Sequence, residues 1–401
     1  MTLVVISTHP IQYHAPVYRA TQMQFGVPVT AIYGSDFSVA GYTDREFGVR
    51  FAWDTDLLSG YEARFLARVG AGGAASPEAV AARGLRAALR AARPTAVLLI
   101  GYATRFYRAA LGQIVRGGYP LIFRAETSDH ARPRSKLKAL ARDALLRTLY
   151  RRCAALLYVG SLSRAHYLRL GAPEQRMIFS PYCVDPAPFR ADEQSRGQLR
   201  PAARAELGLH DGQLALLFSG KLVPRKGPQL LLQAARLLPP ELREQLVLLV
   251  AGDGELRAEL ERQAACAPPL RLNVLGFQSQ HALSRCYHAA DLLALPSQLD
   301  ETWGLVVNEA LHHGLPCVVS DQVGCAPDLI APGATGELFT AGSVASLAAA
   351  LERAVPLVGQ PAVRERCRRQ VDDFSVERAA AGLAAAYRLA LATPAPRVGA
   401  T

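Results

Sequence analysis

The chain carries 45 lysines and arginines, but only four are lysine: Lys136, Lys138, Lys221 and Lys226. Two of these fall in one short segment, Gly220-Lys221-Leu222-Val223-Pro224-Arg225-Lys226-Gly227, directly after an apolar run. Glycine lets backbone approach an anion closely, and two ammonium groups can neutralise a phosphate. Taken alone, the segment reads equally well as a solvated basic turn. Further along, Glu301 and Glu309 flank the stretch Thr302-Trp303-Gly304-Leu305-Val306-Val307-Asn308. A helix expected to span 304–313 would leave the amides of Gly304, Leu305 and Val306 unpaired and directed outward, a ready anion site. Counted as helical positions, Glu301 and Glu309 lie within roughly a quarter-turn of one face and are expected to line one pocket. Carboxylates are poor phosphate ligands and good acceptors for sugar hydroxyls. Cations and amides beside two acids therefore suit a ligand that is part phosphate and part sugar. The plain alternative is a capping acid with an exposed helical Glu.

Two weaker loops accompany these. Gly252-Asp253-Gly254 joins an apolar run to a helical pattern, and is more often simple punctuation than a ligand contact. In Gly276-Phe277-Gln278 an aromatic and an amide could border a nucleobase, though Phe277 is equally suited to ordinary packing.

Positioning these loops requires elements whose ends meet. Short β-branched and Leu-rich runs alternate with helical patterns in both halves, the sequence form of repeated β-α units and a parallel sheet. Strands are expected near 2–7, 28–33, 96–100, 120–124, 154–159 and 177–180, then at 214–219, 246–250, 274–275, 292–295 and 316–320. Helices are expected at 227–238, 254–266 and 280–289, besides 304–313. A Pro-rich stretch from Ser180 to Pro201 breaks the pattern and marks the interdomain connection. The expected fold is α/β, with two Rossmann-like doubly wound parallel-sheet domains facing across a cleft. The domains are 1–190 and 191–374, followed at 375–401 by a helix, expected to pack back toward the first domain, and a tail. In such sheets ligands sit beyond the C-terminal strand ends, where the loops above fall.

At 401 residues and 50% apolar composition, the chain has material for two cores and is not a disordered sequence. Its longest apolar runs are far shorter than the roughly 20 residues of a membrane-spanning helix. The N-terminus reads as a buried strand rather than a signal peptide. Seven scattered cysteines without a Cys-x-x-Cys pair disfavour a disulfide framework and a zinc site, so a reducing cytoplasm and no metal are expected. The net charge of +11 is concentrated in residues 1–190, which carry +13 against −2 for the remainder. A basic half faces an anionic partner: nucleic acid, a lipid surface or a phosphorylated substrate. Scattered arginines without interleaved aromatics argue against nucleic acid.

Together, Gly220-Lys221…Lys226-Gly227, Gly252-x-Gly254, Gly276-Phe277, Leu295-Pro296-Ser297, Glu301-x7-Glu309 and Gly314-x-Pro316-Cys317-Val318-Val319-Ser320 resemble the C-terminal domain of family 4 retaining glycosyltransferases, the group 1 glycosyl transferases of GT-B fold. The likeness covers 214–335 and loosens at Cys325 and Asp328, where the family often has Gly and Glu. It implies a nucleotide-sugar diphosphate held mainly by the second domain, an acceptor held by the first, and no cofactor or metal. Carried over, Gly220, Lys221, Lys226, Gly252, Gly254, Phe277, Glu301, the Trp303, Gly304, Leu305 and Val306 amides, and Glu309 bind the donor. Lys221 and Lys226 clamp the diphosphate, Glu301 meets donor-sugar hydroxyls, and Glu309 holds the ribose. Lysine at 221, where the family commonly has arginine, gives a point charge in place of a fork.

The first half departs from well-known members. Ser7-Thr8-His9-Pro10-Ile11-Gln12-Tyr13-His14 replaces the usual glycine-rich loop and resembles a bacterial subset; His9, Gln12, Tyr13 and His14 would touch acceptor or donor sugar, or form a packed polar turn. Arg124-Ala125-Glu126-Thr127-Ser128-Asp129-His130 stands where many relatives carry a histidine near the reacting carbon. Glu126 is the choice for that role, with Asp129 and His130 behind it, so Glu126, Lys226 and Glu301 form the expected catalytic set. The implied activity is sugar transfer with retention, in bacterial glycan, glycolipid or glycosylated-metabolite synthesis. A nucleotide-sugar epimerase or phosphorylase of the same architecture, or a non-enzymatic basic protein binding membrane or RNA, are the alternatives. Only four lysines leave little room for a pyridoxal Schiff base.

Residues 132–152 hold eight cations against Asp143 alone. Leu137, Leu140, Ala141, Ala144, Leu145 and Leu149 fall on one broad helical face. Either that face packs on the sheet and the cations are solvated, or the basic side docks on an anionic leaflet and brings a lipid-linked acceptor to the cleft. The expected location is accordingly cytoplasmic, with the second reading placing the chain peripherally at the inner face of the cell membrane.

Overall fold

The computed structural model of the chain describes residues 1–43, 50–51, 53, 55–126, 129 and 135–393. The first domain is built on a seven-stranded parallel sheet of β1 (Leu3–Ser7), β2 (Val29–Tyr33), β3 (Glu62–Phe65), β4 (Ala96–Ile100), β5 (Leu121–Arg124), β6 (Ala155–Tyr158) and β7 (Met177–Phe179). Their spatial order is β3-β2-β1-β4-β5-β6-β7. Both neighbours of β1 are parallel to it, Leu3 lying opposite Val29 on one side and Ala96 on the other. Every residue of β1 and β2 is buried, because helices cover both faces; hence these strands read as unbroken apolar runs with no alternation. The edge strand β3 is half-exposed, carries Glu62 and Arg64, and has no such run to announce it.

The helices of this domain include α1 (Ala15–Phe25), α2 (Leu85–Ala92), α3 (Arg105–Arg116), α4 (Lys136–Arg152) and α5 (Ser161–Arg169). Leu85, Leu89, Phe106, Ile114, Leu146 and Tyr150 place α2, α3 and α4 over one face of the sheet. The apolar face expected to bury α4 is not the one it uses. Leu137, Leu140, Ala141, Ala144 and Leu145 are exposed, and the helix packs through Leu146, Leu149 and Tyr150. The reason is the anchor on its inner side: Asp143 accepts from Arg169 at 2.5 and 3.2 Å, and the Tyr150 hydroxyl meets His166 Nε2 at 3.2 Å. Those polar contacts fix the rotation of the helix.

The second domain has a six-stranded parallel sheet of β8 (Leu214–Ser219), β9 (Leu246–Ala251), β10 (Arg271–Gly276), β11 (Leu292–Leu295), β12 (Cys317–Ser320) and β13 (Gly336–Phe339), in the order β10-β9-β8-β11-β12-β13. Its helices include α6 (Glu193–Glu206), α7 (Gln229–Leu237), α8 (Arg257–Ala265), α9 (Gln280–Ala289), α10 (Leu305–His312), α11 (Val344–Ala354) and α12 (Pro361–Asp372). The interdomain connection is shorter than the Pro-rich stretch suggested, since Pro201 lies inside α6. One helical hydrogen bond is lost there. It is offset by Arg200, whose guanidinium reaches the carbonyls of His288, Ala289 and Ala290 at 2.8–3.0 Å and Asp291 at 2.5 Å, closing the end of α9.

The last helix, α13 (Val376–Ala392), crosses back to the first domain, where Ala379, Leu383 and Ala386 join a core with α1 and β1. Ser180 Oγ donates to the Ala379 carbonyl at 2.9 Å, and a side chain at Gly382 would meet the Phe179 carbonyl at 2.0 Å. Its small residues allow that close approach. Among the described residues no helix is long and apolar enough to cross a membrane. The cysteines are unpaired, and all but Cys266 are buried.

Candidate functional site

Both sheets present the C-terminal ends of their strands to one another. From the first domain come the residues after β5 and β6; from the second, those after β8, β9, β11 and β12. Backbone of the first domain meets side chains of the second here. The Ser161 amide at the start of α5 donates to both Asp328 oxygens, at 3.0 and 3.1 Å, an acid at a helix N-terminus supplied across the domain boundary. A Cβ at Gly160 would lie 2.4 Å from the Trp303 ring and 2.6 Å from Asp328.

Lys226 ends a short turn whose Arg225 carbonyl accepts from the Gln298 amide at 2.8 Å, so the loop after β8 is tied to the loop after β11. That tie sets the Lys226 ammonium against the Glu301 carboxylate, which also accepts from Ser297 Oγ at 2.7 Å. Lys221 is half-buried in the same loop, beside Gly220. The two glycines after β9 have a reason that needs no ligand. A Cβ at Gly252 would strike the Gly220 carbonyl at 1.9 Å, and one at Gly254 the Leu222 carbonyl at 2.7 Å, with both residues at φ above 150°. They let the loops after β8 and β9 nest against each other. Phe277 is half-buried at the end of β10.

Helix α10 begins at Leu305, with Gly304 at φ 99° as its N-cap. Because 301–304 are not helical, counting Glu301 and Glu309 around one helix does not apply to them, and the two acids occupy different surroundings. Glu309 is 5% exposed and accepts from the Tyr287 hydroxyl at 2.6 Å. Burial pushes its carboxyl up to about 7. The His313 ring lies against Tyr287 at 4.8 Å and fixes it. Glu309 is nonetheless part of the wall of an interdomain cavity of about 290 Å³, together with Leu305, His281, Arg19, Gln12 and Tyr13; Glu301 is not among its lining residues. The Trp303 side chain serves packing: it is buried against Phe374 and Tyr182, and its Nε1 donates to Asn308 Oδ1 at 2.8 Å.

Across the cleft, Glu126 follows β5 and accepts from the Tyr182 hydroxyl and, at 2.5 Å, from Thr302 Oγ1, next to Glu301. Burial raises its carboxyl, and the Thr302 hydrogen bond and the Arg124 charge pull the other way. Arg124 lies over the Tyr182 ring at 5.1 Å and donates to the Pro181 carbonyl at 2.9 Å. Asp129 is drawn away from the cleft, into an ion cluster with Arg169 at 2.7 Å and His166 at 2.9 Å; despite partial burial, those hydrogen bonds and charges hold it down at about 2. His130 lies outside the described residues.

The first loop is a packed polar turn around the cavity edge. His9 Nδ1 pairs with Thr8 Oγ1 at 2.9 Å, its ring lies 4.4 Å from Phe37, and burial lowers it to about 4. His14 is 2% exposed and is held neutral by burial and by Arg124; its ring is parallel to that of Tyr182, and among the described residues both ring nitrogens lack a hydrogen-bond partner. Gln12 and Tyr13 reach the cavity wall. Burial raises the Tyr13 hydroxyl far above its ordinary range.

Tyr182, Thr302 and Tyr287 hold the carboxylates in place, and sequence reading passed over all three. Tyr182 stands in a Pro-rich connector and Tyr287 inside a helix, so nothing local marks either one.

Residues 200–370 match the family described as glycosyl transferases group 1. The D-inositol 3-phosphate glycosyltransferase of Segniliparus rotundus is 35% identical over 233 residues, 55% of this chain and 48% of that protein. The enzyme of the same name from Mycobacterium tuberculosis is 34% identical over 235 residues, 54% and 47%. The chain thus spans about half the length of the curated relatives it matches. Among solved structures, sucrose-phosphate synthase from Thermosynechococcus elongatus aligns with TM-score 0.70 and 18% identity over 98% of this chain and 99% of that one. Anabaena HepE in complex with UDP and glucose aligns with TM-score 0.67 and 16% identity over 96% and 98%. Both sheets, and not the second alone, have counterparts in these proteins. The chain has the GT-B fold, and its residues 200–370 are similar to the glycosyl transferases group 1 family.

Proposed function

We propose that the chain is a family 4 glycosyltransferase that moves a sugar from a nucleotide-diphosphate sugar to an acceptor hydroxyl with retention of configuration. The observation that carries this reading is the meeting of Lys226, Glu301 and the start of α10 with Glu126 of the other domain, at the strand ends of both sheets. An ammonium has three donors. One meets Glu301, leaving two for diphosphate oxygens. Lys221 and the first amides of α10 would neutralise the remaining charge without a metal. Glu309, at the cavity wall, would accept from ribose hydroxyls, and Glu301 from hydroxyls of the donor sugar.

In the reaction the bond from the anomeric carbon to the diphosphate oxygen breaks, and the acceptor oxygen bonds to that carbon on the same face. The acceptor proton passes to the departing diphosphate. The protein's part is electrostatic, and preorganised donors at the leaving group supply several kcal/mol. HepE holds UDP and UDP-glucose in its structures, so uridine donors are the first to test.

The experiment is thermal-shift screening with UDP-, GDP-, ADP- and dTDP-sugars, followed by NMR of the anomeric centre of donor and product. A donor at 100 times its Kd stabilises by about 2.7 kcal/mol. No stabilisation by any donor removes the nucleotide-sugar site, and an inverted product removes retention.

A further inference from the structure

We propose that the outer face of α4 is a docking surface for an anionic lipid bilayer. Leu137, Leu140 and Leu145 are 81%, 65% and 58% exposed, which places three of the largest exposed apolar side chains of the chain on one helix. At 100° per residue, Leu137, Ala141, Ala144 and Leu145 gather on the side opposite Leu146, Leu149 and Tyr150, which bury the helix. Lys138, Arg147, Arg151 and Arg152 are exposed around that ridge, and among the described residues none forms an ion pair with an acid. The only acid of α4, Asp143, is buried beneath Arg169. Helices α2 and α3, on the same face of the sheet, extend the field: their sequences carry arginines and no acid, with Arg105 and Arg108 exposed.

An apolar ridge rimmed by cations matches the layered chemistry of a membrane surface, hydrocarbon beneath and phosphate above. Charge complementarity selects that occupant over a second copy of the chain, which would bring the same cations against these. Leucines in place of aromatic side chains select it over RNA, which needs rings for stacking. The helix begins on the segment that follows Glu126, so its leucine-bearing first turns stand at the cleft edge of the domain. A docked α4 therefore sets the cleft beside the bilayer and favours a lipid-linked acceptor; this last step rests on the transferase reading, and the docking itself does not.

The test is co-sedimentation of the full chain with vesicles of phosphatidylcholine alone, or with phosphatidylglycerol added, at about 0.1 M and about 1 M salt, between which screening shortens from about 10 Å to about 3 Å. Wild type is expected to pellet with the anionic vesicles only, and less at high salt. Each cation near the surface is worth roughly a factor of five. R147Q/R151Q/R152Q should therefore bind about 100-fold more weakly, and L137S/L140S/L145S should lose at least tenfold, both with unchanged circular dichroism. Equal binding to neutral and anionic vesicles, no binding, or a leucine variant that binds like wild type overturns the proposal. A wild-type dimer that the leucine variant makes monomeric, without vesicle binding, assigns the face to a second copy. Since no donor or acceptor is present, a failed donor screen and a failed vesicle assay remain distinct results.

Discussion

Glu309→Gln separates the stability of the site from its function. Burial raises the Glu309 carboxyl from 4.5 to about 7. A carboxyl raised on folding supports the folded state while it is protonated. Its contribution is complete below about pH 4.5 and is lost as pH rises through about 7. At 1.36 kcal/mol per decade, the loss at about pH 8 amounts to roughly 3 kcal/mol. Glutamine keeps an oxygen for the Tyr287 hydroxyl, now 2.6 Å from Glu309, and cannot ionise. The unliganded variant is therefore expected to be more stable than wild type by roughly 3 kcal/mol at about pH 8, and equal to it near pH 4.5. For a domain of this size, that is roughly 6–12 °C in Tm. The same change should lower kcat/KM for donor by about 100-fold, because an amide offers one oxygen to ribose hydroxyls where a carboxylate offers two. The assay is thermal denaturation of both proteins across that pH range, with donor kinetics at its upper end. A stability difference that does not vary with pH, or a less stable variant at about pH 8, would refute the assignment of the raised carboxyl to burial. Alanine is the poorer probe: Glu309 is buried, and its removal would leave the Tyr287 hydroxyl only the Val306 carbonyl at 3.5 Å.

Three further outcomes are expected. Lys226→Ala should reduce kcat/KM by about 10²–10³-fold while lowering stability by no more than about 2 kcal/mol, since the Lys226–Glu301 pair keeps some solvent contact; near-normal turnover at saturating donor would remove Lys226 from the site. Glu126→Gln should lower kcat more than it raises the donor KM, whereas Asp129→Asn, tied to Arg169 and His166, should cost about 1 kcal/mol or less of stability and leave kcat unchanged; the reverse pattern in steady-state kinetics would transfer the role to Asp129. Gly160→Ala puts a methyl group 2.4 Å from Trp303 and should hold the domains apart, seen as a larger radius of gyration in X-ray scattering and a lower kcat/KM, while identical scattering profiles would show that the contact yields without opening the cleft.

Strands buried on both faces must be apolar along their whole length, so β1, β4, β8, β9 and β11 were legible within a residue or two, and with them the parallel two-sheet fold. The edge strands were hidden: β3 carries Glu62 and Arg64 toward solvent, and β13 interrupts its run with Glu337, which is buried only because Arg353 pairs with it at 2.9 Å. At the candidate site, the scarcity of lysine picks out Lys226 and the spacing across Gly304 picks out Glu301 and Glu309, whereas Glu126 is chosen only through the family resemblance. Their states were decided only by packing. Tyr287 comes from α9 to hold Glu309, Tyr182 from the connector to hold Glu126, and Arg169 from α5 to draw Asp129 away. Those partners are 22, 56 and 40 positions distant along the chain, beyond the reach of any periodic pattern. The rotation of α4 makes the same point. Its composition allowed two apolar faces, and the choice fell to Asp143 and Tyr150, whose polar atoms found Arg169 and His166 only when α5 was laid beside them. Periodicity records which faces a helix could bury; which one it does bury is set by the hydrogen bonds and charges that must be satisfied on the side turned inward.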